Sequence, residues 1–165
     1  MASKGFSHVG LATRDLEETK EFYENVLGFK TLLIDVIDVE EGGQIRHLLM
    51  DAGRDQVIAF MEPRDVPGIP AEYDAGINRG LGLPSAFYHV AFEAGSEGAL
   101  EQRRQELIRH GVHVTEIVDH DFAKSIYFKD PNGIQLEFCC STRDLTEQDA
   151  KARPPIKASV KQLEL

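Results

Sequence analysis

The sequence predicts an α+β protein in which two tandem βαβββ modules form a curved mixed sheet that encloses a cup. The order strand, helix, strand, strand, strand occurs twice, with a period of roughly 80 residues. Short stretches of the two copies also match directly, since FSHVGLA aligns with FYHVAFE and VIAFM with QLEFC. We divide the chain into a first module (1–62), a linker (63–85), a second module (86–140) and a C-terminal arm (141–165).

The first module begins with a strand and a helix whose ends carry capping residues. The apolar run FSHVGLA predicts a buried strand. In the helix that follows, Asp15 suits the N-cap position, Glu18 lies three residues later, and Gly28 ends the helix. The runs FKTLLIDVIDV, IRHLLMDA and QVIAFM then predict three strands, because turn-forming residues separate them.

The second module repeats this order after a linker that is rich in proline and glycine. AFYHVAFEA predicts its first strand, and a helix extends from about Glu97 to His110 and ends at Gly111. VHVTEIV, KSIYFKD and IQLEFCC predict the three remaining strands. The C-terminal arm is expected to pack loosely.

The turn D-P-N-G between the last two strands sets the register of the residues around it. Pro131 suits the first corner of a type I turn, and Gly133 suits the left-handed residue of a three-residue loop with a bulge. Tyr127 then lies opposite Glu137 on the same face. A two-residue turn would place Ile126 opposite Glu137 instead, so this inference depends on the bulge.

Composition and charge exclude several classes of function. The net charge of −10 repels nucleic acid, and no apolar run approaches the roughly 20 residues of a membrane span. The N-terminus lacks the pattern of a secretion signal, so we expect a cytoplasmic protein with no membrane partner. The two cysteines, Cys139 and Cys140, are adjacent on a predicted strand and point to opposite faces, which disfavours a disulfide between them and a cysteine-based zinc site.

Three residues form a candidate metal site. His8 and His89 occupy equivalent places in the first strands of the two modules, each among apolar residues. Glu137 is a carboxylate inside an apolar strand, where it is costly unless paired or bound to a metal. Two histidines and one carboxylate on facing sheets suit Fe(II) or a similar divalent ion, and manganese, nickel, cobalt and zinc remain alternatives.

The stretch HDFAKSIYFKDPNGIQLE and these ligands resemble the vicinal oxygen chelate superfamily over about residues 5–140, and within it the type I extradiol ring-cleaving dioxygenases. Eight positions match the dioxygenase signature: Val118, His120, Ile126, Tyr127, Asp130, Pro131, Gly133 and Glu137. The resemblance implies that His8, His89 and Glu137 bind Fe(II). It also implies that Tyr127 hydrogen-bonds a catecholic oxygen and that His120 lies near bound dioxygen or an aromatic substrate. For Tyr127 the alternative is packing, and for His120 it is a solvated loop position.

Two positions depart from related patterns. Ala59 stands where glyoxalase I has a further carboxylate ligand, which favours a three-ligand site. Gln56 stands where the dioxygenases commonly have an acid–base histidine, and it cannot transfer a proton at neutral pH. His47 and His120 are the candidates for that role, and we place His47 and Gln56 among the substrate-binding residues.

The alternatives to a dioxygenase are a lyase or transferase that acts on a thiol adduct or on fosfomycin, and a binding protein of the same fold. A homodimer is expected. Its modules either pair within one chain or are exchanged between two chains, and the long linker permits both.

Overall fold

The computed structural model describes residues 5–151 and Glu164. It is an α+β structure with two four-stranded mixed sheets. The elements in chain order are β1 (His8–Ala12), α1 (Leu16–Asn25), β2 (Lys30–Asp38), β3 (Gln44–Gly53), β4 (Gln56–Arg64), α2 (Ile77–Leu81), β5 (His89–Glu93), α3 (Glu97–Arg109), β6 (Val118–Asp119), β7 (Ala123–Lys129) and β8 (Gln135–Ser141).

The chain divides into two compact units. The first unit comprises residues 1–76 together with the turn 130–133, and the second comprises residues 77–129 and 134–165. No helix among the described residues is long and apolar enough to cross a membrane. The module, linker and arm boundaries drawn from the sequence stay a prediction.

The first unit contains a sheet with the strand order β1-β4-β3-β2, and β1 runs parallel to β4. Helix α1 covers one face of this sheet with the fully buried Tyr23, whose ring lies 4.7 Å from that of Phe60. The predicted cap of α1 is confirmed, since the Asp15 carboxylate accepts a hydrogen bond of 2.8 Å from the Glu18 amide. Gly28 has a φ of 76° just beyond the helix, which is the conformation for which glycine is favoured there.

The second unit repeats this topology with the order β5-β8-β7-β6, and β5 runs parallel to β8. Leu100 and Leu107 of α3 are buried, and the Arg103 guanidinium lies 5.4 Å from the centre of the Phe138 ring. Both sheets therefore have the same strand order, as the sequence repeat predicts. Enclosure of one cup by the two modules stays a prediction.

Two predicted strands of the second unit are shorter than expected, because side chains form hydrogen bonds with the backbone amides and carbonyls there. VHVTEIV forms strand only at Val118, apart from one bridge earlier in the run. Thr115 interrupts it: its hydroxyl accepts a hydrogen bond from the Tyr127 amide, and its carbonyl accepts one from the Arg104 side chain. AFYHVAFEA begins only at β5, since the Asn78 side chain bonds both the amide and the carbonyl of Tyr88.

The first strand of the chain also differs from its prediction. FSHVGLA was expected to be a buried strand, but β1 alternates between exposed and half-buried residues from His8 to Ala12. Strands with one face packed on a helix show this alternation, because successive side chains point to opposite faces.

The D-P-N-G turn has the predicted conformation. The Gly133 amide donates to the Asp130 carbonyl at 3.0 Å, and Gly133 has a φ of 79°. Tyr127 pairs with Glu137 across β7 and β8, so the predicted register is confirmed.

A buried polar network within the first unit surrounds the side chain of Asn132. Its amide nitrogen donates to the Thr19 hydroxyl at 3.0 Å and to the Asp130 carboxylate at 3.1 Å. Its amide oxygen lies 2.9 Å from the Thr13 hydroxyl. The buried Tyr23 hydroxyl also donates to Asp130, at 3.3 Å. The turn is thus anchored by side chains as well as by its backbone.

Candidate functional site

One face of the second sheet carries three of the predicted site residues, His89, Tyr127 and Glu137. Residues that alternate along β5, β7 and β8 share this face, because side chains two positions apart on a strand point the same way. The face presents imidazole, hydroxyl, amide, carboxylate and thiol groups. The members used below are His89, Ser125, Tyr127, Gln135, Glu137 and Cys139.

His89 and Glu137 face each other at the centre of this group. His89 Nε2 lies 3.0 Å from Glu137 Oε2, and His89 Nδ1 lies 3.1 Å from the Ala86 carbonyl oxygen. A carbonyl only accepts, so Nδ1 carries a proton and a neutral His89 would direct its Nε2 lone pair at the carboxylate. Two acceptors at this distance require a cation between them or a proton on Nε2. An imidazole nitrogen and a carboxylate oxygen are also ligands that divalent metal ions accept, so the pair fits such an ion as well as a proton.

The Glu137 carboxylate is buried, with 6 % exposure, and polar neighbours hold it in place. The Ser125 hydroxyl donates to Glu137 Oε1 at 2.5 Å, and Tyr127 pairs with Glu137 across β7 and β8. Burial and the nearby Glu137 charge raise the pKa of Tyr127 to about 12. Tyr127 is therefore a protonated phenol at neutral pH, able to donate a hydrogen bond.

His120 completes a chain of contacts on this face. Its Nε2 lies 2.9 Å from the Tyr127 hydroxyl. The two residues meet although His120 lies in the turn between β6 and β7 and Tyr127 lies inside β7. A proton can pass between the imidazole and the phenol because either atom can act as the donor.

Two further side chains of the face carry no predicted role. Gln135 is fully buried, and its nitrogen donates to the Phe128 and Leu136 carbonyls. Its oxygen is a buried acceptor that meets no donor in the described part of the chain, so a water or ligand hydroxyl would satisfy it there. Cys139 is half-buried, and burial together with the Glu137 charge raises the pKa of its thiol to about 11.

The remaining predicted residues lie in the first unit. His8 is exposed at the start of β1, with Nδ1 3.0 Å from the Ser7 hydroxyl. His47 Nδ1 lies 3.1 Å from Asp35 on the neighbouring strand, and Gln56 is exposed at the start of β4. The contribution of these three residues to the site stays a prediction.

Strand register identifies the residue of the first sheet that is equivalent to Glu137. Ala59 pairs with the residue two positions after His8, just as Glu137 pairs with the residue two positions after His89. Ala59 therefore occupies the place equivalent to Glu137.

The structure brings together two of the three predicted metal ligands, His89 and Glu137. Within residues 5–151 and Glu164, no group of three or more His, Cys, Asp or Glu side chains gathers as a metal cluster. The three-ligand site with His8 therefore stays a prediction. Ser125 is the residue that sequence reasoning missed, although its place two residues before Tyr127 put it on the same face.

Comparison with known proteins identifies the family. The sequence profile of the glyoxalase/bleomycin resistance protein/dioxygenase superfamily matches residues 5–138. The chain belongs to this superfamily. Its members typically bind a divalent metal ion, in agreement with the His89–Glu137 pair.

Individual relatives within the superfamily have different activities. The putative ring-cleaving dioxygenase MhqA of Bacillus subtilis is 25% identical over 134 residues, which are 81% of this chain and 39% of MhqA. The chain thus spans about two fifths of the length of that relative. The metallothiol transferase FosB of Lysinibacillus sphaericus is 26% identical over 144 residues, 86% of each chain.

The solved structure of integron cassette protein HFX_CASS4, from the mobile metagenome of a Halifax Harbour sewage outfall, is 25% identical. It covers 84% of this chain and 99% of its own, with a TM-score of 0.59. The comparisons identify the superfamily and the fold of the chain.

Proposed function

We propose that the protein is a metal-dependent dioxygenase that opens the ring of a small catechol-like substrate with O2, as a step in the breakdown of aromatic compounds. His8, His89 and Glu137 are the proposed metal ligands, and Fe(II) is the ion best suited to them. Mn(II), Ni(II) and Zn(II) are the alternatives. The observation that carries the proposal is the grouping of these side chains on one sheet face: His120 contacts Tyr127, Tyr127 pairs with Glu137 across β7 and β8, and Glu137 lies 3.0 Å from His89.

The side chains of this face have separate roles in the proposed reaction. A divalent ion held there would bind the diol and dioxygen side by side. Tyr127 stays protonated, because its pKa is about 12, and donates a hydrogen bond to an oxygen of the substrate. Ser125 donates a hydrogen bond to the Glu137 carboxylate and so holds it in the fixed orientation that a metal ligand needs.

His120 is the proposed acid–base residue. It exchanges a proton with the bound substrate through the Tyr127 hydroxyl, which lies 2.9 Å from His120 Nε2. Gln56 cannot take this role, because an amide does not transfer protons at neutral pH. We propose His47 and Gln56 as substrate contacts. Similarity to MhqA supports ring cleavage, and the proposal extends to a homodimeric assembly, which light scattering would measure.

The test is anaerobic reconstitution with Fe(II), followed by metal analysis and a panel of catechols with O2. We expect about one equivalent of iron and a yellow ring-fission product. His89→Ala and Glu137→Gln should lose the iron, whereas His110→Ala, an exposed histidine at the end of α3, should keep it. Wild-type protein that binds iron and cleaves no catechol would contradict ring cleavage. Stoichiometric ligand binding without metal would instead indicate the binding protein.

The second candidate function is metal-dependent thiol transfer. The match to FosB favours it, because that match covers 86% of both chains, whereas the match to MhqA covers only 39% of MhqA. The same metal-loaded protein would be given glutathione or cysteine with fosfomycin as the electrophile. Consumption of thiol with Mn(II), Ni(II) or Zn(II), and no ring cleavage with Fe(II), would favour the transferase.

A further inference from the structure

His120 lies at the start of a tight turn that contains a residue in an uncommon conformation. The His120 amide donates to the Ala123 carbonyl at 2.8 Å, so Asp121 and Phe122 are the two central residues of the turn. Asp121 has a φ of 74°, although the first central position of such primed turns favours glycine. A non-glycine residue keeps this conformation only when surrounding contacts hold it.

The Asp119 carboxylate accepts a hydrogen bond of 2.8 Å from the Asp121 amide, and the C-terminal segment provides further contacts. The Arg143 guanidinium donates to the Asp121 carboxylate at 2.8 Å. The Thr142 hydroxyl donates to the Asp121 carbonyl at 3.0 Å, and the Thr142 amide donates to the Phe122 carbonyl at 2.9 Å. Both the backbone and the side chain of Asp121 are therefore held by two consecutive residues. This part of the chain was expected to be a loosely packed arm.

A second carboxylate, that of Asp149, fixes the position of the Arg143 guanidinium. Its two terminal nitrogens donate to the two carboxylate oxygens of Asp149, each at 3.0 Å. Asp149 in turn accepts from the amide and the hydroxyl of Thr146, each at 2.9 Å. A planar guanidinium held at both nitrogens loses little further freedom when it binds a second carboxylate. The Asp121 side chain is two-thirds exposed, so without Arg143 water would compete for it.

We propose that Arg143 is a positioning residue that holds the Asp121 turn and thereby keeps His120 against the Tyr127 hydroxyl. The inference deepens the proposed function, because it rests on His120 as the acid–base residue. It adds residues 142–149 to the machinery that supports the site. Arg143 acts through Asp121 and His120.

The first test is nitrogen NMR of the histidine side chains in metal-free protein at one pH. The His120 Nε2 resonance reports the contact with Tyr127, and Tyr127→Phe supplies the reference for its loss. We expect Arg143→Gln to move this resonance toward the Tyr127→Phe position. Arg109→Gln, a matched change at an exposed arginine of α3, should leave it in place. An unchanged His120 resonance in Arg143→Gln would overturn the proposal.

A rescue variant separates positioning from a general effect on folding. Glycine adopts a positive φ without outside support, so Asp121→Gly in the Arg143→Gln background should return the His120 resonance to its wild-type position. Failure of this rescue would also overturn the proposal. In iron-loaded protein, Arg143→Gln should lower kcat by on the order of tenfold or more at unchanged iron content.

The outcomes distinguish this inference from the proposed function. A wild-type protein that cleaves no catechol would refute the dioxygenase, yet the NMR shift and its rescue would still support the positioning role. Conversely, if the wild-type enzyme is active and the His120 resonance is unchanged in Arg143→Gln, only the positioning role is refuted.

Discussion

Replacing Asn132 with alanine should destabilise the protein by roughly 2–4 kcal/mol, although the residue lies in a turn. The Asn132 amide donates to the charged Asp130 carboxylate and to the fully buried Thr19 hydroxyl. A hydrogen bond to a charged group contributes about 1.5–3 kcal/mol and a neutral one about 0.5–1.5 kcal/mol. Its oxygen also accepts from the Thr13 hydroxyl at 2.9 Å and from the exposed Arg14 amide at 3.3 Å. We count neither, because the Thr13 hydroxyl has a second acceptor in the Asp15 carbonyl at 3.0 Å and water can replace the contact with the Arg14 amide.

The assay is urea unfolding followed by far-UV circular dichroism, since the chain has no tryptophan. Asn25→Ala, an exposed asparagine at the end of α1, is the control and should change the unfolding free energy by less than about 0.5 kcal/mol. Asn132→Asp keeps the shape but places a second carboxylate beside Asp130, so it should also destabilise. An Asn132→Ala value within 0.5 kcal/mol of the control would refute the network as an anchor of the turn.

Three further changes test other parts of the structure by the same unfolding assay. Gly43→Ala should cost roughly 1–3 kcal/mol more than Gly42→Ala, because both glycines have positive φ but a methyl group at Gly43 would overlap carbonyl oxygens at the end of β4. Arg46 lowers the pKa of Glu17 to about 2. The pair therefore contributes stability above pH 4.5, and this contribution is lost as the pH falls toward 2. Between these pH values, Glu17→Gln should lose less unfolding free energy than the wild type. The difference should be less than about 1 kcal/mol, since Glu17 is exposed. Equal acid sensitivity in the variant would argue against the pair. Thr115→Val should cost about 1 kcal/mol because a β7 amide loses its acceptor, and a neutral result would show that the amide finds another partner.

Features with a local signal could be predicted from the sequence. The Asp15 cap depends on residues three positions apart, and the D-P-N-G bulge fixes the facing of Tyr127 and Glu137. Strand alternation likewise places Cys139 on the Glu137 face. Each of these features follows from neighbouring residues along one helix or hairpin, so no knowledge of distant contacts is needed.

Features that depend on distant side chains could not be predicted. Asn78 shortens β5 by bonding the backbone of Tyr88, and Thr115 interrupts the strand before β6. Arg143 reaches Asp121 across 22 residues. A polar residue in a loop has many potential partners, and its sequence does not indicate which backbone or carboxylate group it will meet.

The anchored turn has a consequence for how the protein is made. The first unit ends at residue 76 but also needs residues 130–133, and Thr13 and Tyr23 lie 119 and 107 residues from their partners there. At about 5–20 residues per second, a ribosome adds the intervening 57 residues (133 − 76) in roughly 3–11 s. During that time, the nascent first unit has polar core groups without their partners. Residues 1–76 expressed alone should therefore be less stable than the same unit in the full chain, because Thr13 and Tyr23 lack their partners in the turn.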